Sequence, residues 1–373
     1  MLDRRQFLIV GGAALLAAPH ATAQTARQPR LYASCGSDGE GRFFAAGFDP
    51  TGTLLFSIPI PERGHDIAFH PGRAEAVVFA RRPGMTMHVI DTAAGGIARV
   101  AEAAPGRHYY GHGVFTPDGA LLYVTENDFD EGTGLIGVYD PNGGYRRVGE
   151  FPSGGIGPHQ LRLMPDGRTL AVANGGILTH PDTGRAKLNL ERMQPNLAVV
   201  DPVEGRALWS ATLPRPLHKL SIRHLDVNRS GILAIAMQYE GDVRDRVPLI
   251  ALAEVGSPFR YVKAPADIDR RMRQYTGSTV FDSSGDYLAV SSPRGSVIGL
   301  WDARTGGFLR DLPAPDASGL APTGERGGFL LTGGDGAIRT VAADRPEVAG
   351  LRGADRAIRW DNHLAASPLP QNA

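Results

Sequence analysis

Short apolar runs, interrupted at close intervals by Gly, Pro, Asp and Asn, recur along almost the whole chain, and no long stretch carries the 3.6-residue spacing of an amphipathic helix. The runs are copies of one pattern. HDIAFHPGRAEAVVFA begins at His65, HGVFTPDGALLYVTEN at His112, HQLRLMPDGRTLAVAN at His159 and HLDVNRSGILAIAMQ at His224. Each reads as a histidine, a short strand, a turn ending in or near Gly, and a second apolar strand. The turn residues supply the tight geometry and local side-chain bonds a hairpin needs. STVFDSSGDYLAV from Ser278 repeats the pattern without the histidine, and GLAPTGERGGFLLTGG from Gly319 is a degenerate sixth copy.

A second signature falls between the copies. Asp49, Asp91, Asp140, Asp201 and Asp302 each close an apolar run and are followed by a Gly-containing turn into another strand. An aspartate there bonds its own backbone and forms the turn. Together the two signatures define a unit of four strands, and such units repeated along a chain make a β-propeller. The expected fold is all-β, a seven-bladed propeller with inner strands near His65, His112, His159, His224, Ser278, Gly319 and Ala357. LYASC, RFFAAGFD and TLLFSI supply the rest of the seventh blade, so AIRWDNHLA pairs with the N-terminal strands and closes the ring, leaving no sheet edge open.

Composition agrees, with 48 glycines and 28 prolines punctuating β-branched runs. The first residues, MLDRRQFLIVGGAALLAAPHATAQ, pair Arg4 and Arg5 ahead of an apolar run and end in Ala21-Thr22-Ala23. This looks like a twin-arginine export signal. The run is shorter than the roughly 20 residues a membrane span requires. The expected organisation is therefore a signal peptide over residues 1–23, one propeller domain over 24–373, a periplasmic location and no membrane span after cleavage. Removing a leader with two arginines and one aspartate from 39 basic and 39 acidic side chains leaves a formal charge of −1. Nothing in that balance favours nucleic acid or an anionic membrane surface. Cys35 is the only cysteine, excludes an intrachain disulfide, and reads as a buried structural thiol.

The chemistry is concentrated in histidine. In a propeller the inner strands line the central channel, so His65, His112, His159 and His224, each at the start of such a strand, are expected to converge at one mouth of that channel, with His363 extending the set. Neutral imidazoles suit iron, copper, zinc or nickel. The loops after the second strands add candidate outer ligands: Glu126 and Asp128 in ENDFDEGTG, His180 in the long stretch from Asn174 to Pro195, and Glu240 in QYEGDVRDR. Against this stands a purely structural role, each histidine bonding the backbone of the next blade. Arg162, Arg223 and Arg294 are candidates for lining the channel, either in ion pairs or on an anion. No C-x-x-C-H for covalent haem, H-E-x-x-H, G-x-S-x-G or Walker loop occurs, and zincin, serine hydrolase and nucleotide chemistry lose most of their support.

The segments GIGPHQLRLMPDGRTLAVANGGILTHPDTGRAKLNLERMQPNLAVVD and GHGVFTPDGALLYVTEND, together with the leader, resemble the bacterial family catalogued as domain of unknown function 1513. The resemblance implies no established activity, and it implies association with periplasmic iron-uptake proteins of the imelysin type. Three roles follow as expectations. The first is a periplasmic binding or accessory protein in iron or other transition-metal uptake, whose histidines hold a metal such as iron or copper. The second is a lactonase-like or metal-assisted oxidoreductase propeller. The third is an interaction scaffold with structural histidines. The absence of a paired nucleophile and base weighs against the enzyme, and a fold of this kind hosts all three.

Overall fold

Each four-strand unit folds into one antiparallel sheet, and seven such sheets stand around a central axis. The computed structural model describes residues 30–345, 348–351 and 357–368; the expected leader lies outside them. Six blades are consecutive in the chain, with inner strands Gly64–Phe69, Arg107–Phe115, Pro158–Leu163, Leu220–Val227, Ser278–Phe281 and Ala317–Pro322. We number these blades 1 to 6. The seventh joins the two ends: Arg359–Trp360 and Ala365–Ala366 form the inner edge of a sheet whose other strands are Tyr32–Ser37, Phe43–Phe48 and Leu54–Ile60. Trp360 pairs with Gly36 and Ala366 with Tyr32, closing the ring as the repeats predict.

Burial follows position in the blade. Second strands such as Leu170–Asn174 are buried on both faces, because each sheet packs face to face against two neighbours. Outer strands such as Gly96–Glu102 are largely exposed and polar. The core is thus a set of clusters between blades. One joins blades 3, 4 and 5 through Leu197, Met237 and Trp301. Another seals the seam, where Trp360 packs edge-on against Phe48 at 5.6 Å between ring centroids and donates its indole N–H to the Gly336 carbonyl at 3.2 Å.

The aspartate turns take the form the sequence suggests. Asp49, Asp91, Asp201 and Asp302 each accept from a backbone N–H two or three residues on, at 2.6–2.9 Å. Cys35 is buried against Gly64, and burial pushes its thiol well above the usual range. One short helix, Ala266–Arg271, bridges blades 4 and 5. ENDFDEGTG is not a long loop: its strands run on to Asp128 and resume at Thr133, leaving a tight hairpin. The blade 3 excursion from Asn174 to Pro195 does form a long loop, stiffened by two 3-10 turns and by Asn189, which binds the Leu178 amide and the Gly176 carbonyl.

Candidate functional site

The inner strands are not regular. In blades 1, 3, 4 and 6 one residue bulges out of the ladder to the second strand: His65, His159, Arg223 and Ser318 respectively. In blade 2 three residues, Tyr110 to His112, stand against Thr125 alone. A bulge turns two successive side chains toward the same side and twists the strand. Here that delivers polar side chains into the channel at a position where a regular pleat would send every second one into a blade.

The register settles how the histidines correspond. Counting back from the amide that closes each inner hairpin (His70, Thr116, Met164 and Asn228), His65 and His159 occupy one position, five residues back, and His112 and His224 the next, four back. The repeat alignment that begins each copy on histidine therefore hides an offset, and the imidazoles lie in two tiers. The first position is filled by Gly111 in blade 2 and Arg223 in blade 4; the second is filled by Asp66 in blade 1 and Gln160 in blade 3. Gly111 has φ +106°, and a Cβ there would lie 2.6 Å from the His65 ring, so glycine is required for the neighbouring imidazole to fit.

Five imidazoles from five adjacent blades meet. Ring centroids are 4.6 Å apart from His363 to His65, 4.9 Å from His65 to His112, 4.9 Å from His112 to His159, 4.8 Å from His159 to His224 and 4.7 Å from His224 back to His363. One nitrogen from each of His65, His112, His159 and His363 lies within 4.8 Å of the others. All five rings are buried, and both nitrogens of His65, Nε2 of His112 and His363, and Nδ1 of His159 and His224 have no hydrogen-bond partner. Such nitrogens are what a metal ligand set offers, and each is costly to leave bare.

The electrostatics favour the neutral, ligating form. Burial, then the His363 and His112 rings, depress His65 well below the ordinary 6.5; burial and the Arg223 guanidinium do so for His159, and burial and His363 for His224. His363 is pulled down to about 3 by burial and by His112. Asp66 Oδ2 sits 2.7 Å from Nδ1 of His112. Burial works to raise this carboxyl, yet His112, by charge and hydrogen bond, holds it well below the usual carboxylate range. The ionised Asp66 fixes the Nδ1–H tautomer and leaves Nε2 free to ligate, the outer partner that metal-binding histidines normally have.

Not every sequence candidate joins the ring. Glu126 is buried but accepts from Tyr139 at 2.6 Å and Arg147 at 2.7 Å inside blade 2. Asp128 pairs with Arg107 at 2.9 Å. His180 caps a 3-10 turn and packs on Phe129. Arg162 lies on the opposite side, 3.7 Å from Asp226, and Arg294 stacks over Tyr275 at 4.2 Å. Glu240 stands at the mouth, bonded to Lys187 and 3.8 Å from Arg223. Three groups at the site lie outside the histidine pattern of the sequence: Asp66, directly after His65; the Arg81-Arg82 pair, whose signal is the FARRPG turn in the slot where other blades carry their loops; and Arg185.

A model of the family described as protein of unknown function, DUF1513, matches residues 58–367. The chain belongs to this family. No curated protein matches the sequence. Among solved structures, the DUF1513 propeller is similar to the hydrazine synthase of Kuenenia stuttgartiensis, with a TM-score of 0.60 and 14% identity over 83% of this chain and 94% of that one, a likeness of fold.

Proposed function

We propose that this DUF1513 protein is a binding or accessory protein for a transition metal, held by the five channel imidazoles. The observation that carries the reading is the meeting of His65, His112, His159, His224 and His363, all buried, with six ring nitrogens lacking any partner. A structural role would bond those nitrogens to neighbouring backbone, and these six bond nothing. An all-nitrogen neutral donor set suits Fe(II), Cu(II), Ni(II) or Zn(II) over Mg or Ca, which prefer oxygen. His65, His159, His363 and His112, which Asp66 orients, are the core ligands, their nitrogens lying within 4.8 Å of one another; His224 adjoins them at the mouth. The setting we propose for it is periplasmic iron uptake, with imelysin-type proteins as partners and iron as cargo.

Metal analysis and thermal melting on the same samples test this. Protein purified without chelator should carry a transition metal at about one per chain, as one compact cluster of ligands allows. His112→Ala with His159→Ala should abolish the metal and leave the chain folded, its melting point lowered by the loss of the buried partner of Asp66. Unchanged metal content with a lowered melting temperature would sink the reading.

A further inference from the structure

The channel mouth over the imidazoles is crowded with cations that few anions balance. Arg81 and Arg82 leave the second strand of blade 1, Arg223 is the bulged residue of blade 4, and Arg185 comes from the blade 3 loop; with His65, His159 and His224 they line a cavity of ≈ 40 Å³. The long loop arches across to reach it. Arg185 donates to the Arg82 carbonyl at 3.2 Å, and Lys187 bonds Glu240 on blade 4. Among the described residues, two carboxylates serve this group. Asp361 is taken by Arg63 at 2.5 Å and lies 3.6 Å from Arg81; Glu240 is taken by Lys187 and lies 3.8 Å from Arg223. Six cations thus face two anions.

Several of these guanidinium groups are buried and short of partners. Arg82 and Arg223 are 7% and 8% exposed, and Arg82 Nη1, Arg223 Nε and Arg81 Nη1 have no hydrogen-bond partner. The Arg82 guanidinium stands over the Tyr110 ring, 5.9 Å from its centroid. Burial and the like charge of Arg223 pull its guanidinium down to about 10. Buried unpaired charges of one sign are strongly unfavourable, and guanidinium forks are matched to two oxygens of one anion.

We infer that the mouth is a binding site for a small oxyanion, a carboxylate or phosphate group, held by Arg81, Arg82, Arg185 and Arg223 directly above the imidazoles. The cavity admits a group of a few atoms, so a single carboxylate, carbonate or phosphate fits and a bulky chelate enters only by one such arm. The site stands on its own geometry. Its coupling to a metal rests on the function proposed above: an anion over the rings would complete the coordination of a metal held by neutral ligands and offset its charge, so each would tighten the other equally.

Calorimetric titration decides it, with bicarbonate, inorganic phosphate and citrate added to the full mature chain, metal-free and Zn(II)-loaded, against chloride at equal ionic strength. Saturable binding of at least one oxyanion to the metal-free protein, weakened about tenfold or more by Arg82→Gln with Arg223→Gln and by the exposed Arg185→Ala, is expected. A response to phosphate alone points to free phosphate as the source, and one to citrate or bicarbonate to a carboxylate. Absence of saturable binding in both forms, or binding unchanged in Arg185→Ala and in the folded double variant, overturns the site. Failure of Zn(II) to bind while the oxyanion still does overturns the metal reading alone.

Discussion

At the scale of single residues, the site depends on two that the histidine pattern does not mark, Asp66 and Gly111. Asp66→Asn keeps the shape but loses the charge that fixes the His112 tautomer. We expect metal affinity to fall 10- to 100-fold with the fold retained, measured by competition against a chelator of known affinity. Gly111→Ala places a methyl against His65 at a backbone angle that disfavours side chains; it should weaken metal binding and lower the melting temperature together, whereas Gly95→Ala, also at positive φ but in open space, should affect stability alone. The four repeated histidines were readable from sequence because each stands four or five residues ahead of a hairpin turn. The offset between His65 and His112 was not, because a bulge adds one residue without altering local composition. Arg185 was unreadable for a different reason: its place is set by how a long loop crosses to another blade.

At the scale of elements, the blade strands were legible and the loop lengths were not. Alternation and turn residues give each strand, but ENDFDEGTG looks like a loop on charge content while its backbone continues two paired strands. The seam element makes the sharpest energetic prediction. Trp360 is 3% exposed and packs on Phe48 in the sealing cluster. Trp360→Ala should cost about 3–5 kcal/mol, the usual range for emptying an aromatic site, read as the shift in a denaturant midpoint. Removing the chain from 355 onward should abolish the cooperative transition, and a truncated protein that melts like the intact one would contradict the closure.

At the scale of the whole molecule, acidity acts on the ring as a unit. His65, His159, His224 and His363 have folded pKa values below the ordinary 6.5. Between those values and 6.5 the unfolded chain binds the extra protons. The stability of the metal-free protein is therefore complete above about pH 6.5 and is lost as pH falls, by about 1.4 kcal/mol per pH unit for each titrating ring. Melting curves from pH 7.5 to 5 should show the decline, and the His112→Ala, His159→Ala variant a shallower one. A flat profile would mean that the rings are solvated and protonate freely.

The seam that closes the ring is split into two ladders of two pairs each. Tyr32–Ser37 makes six register pairs with Phe43–Phe48 but only four with the two returning segments, Arg359–Trp360 and Ala365–Ala366, and His363 sits between those segments. An ion shared by His363, His65 and His112 would act as a latch across the place where the circle most readily springs open. Its occupancy would show first in hydrogen exchange: amides of Gly36, Ser37 and Trp360 slowing on metal addition by the factor the binding equilibrium dictates, while amides in blade 5 hold their rates.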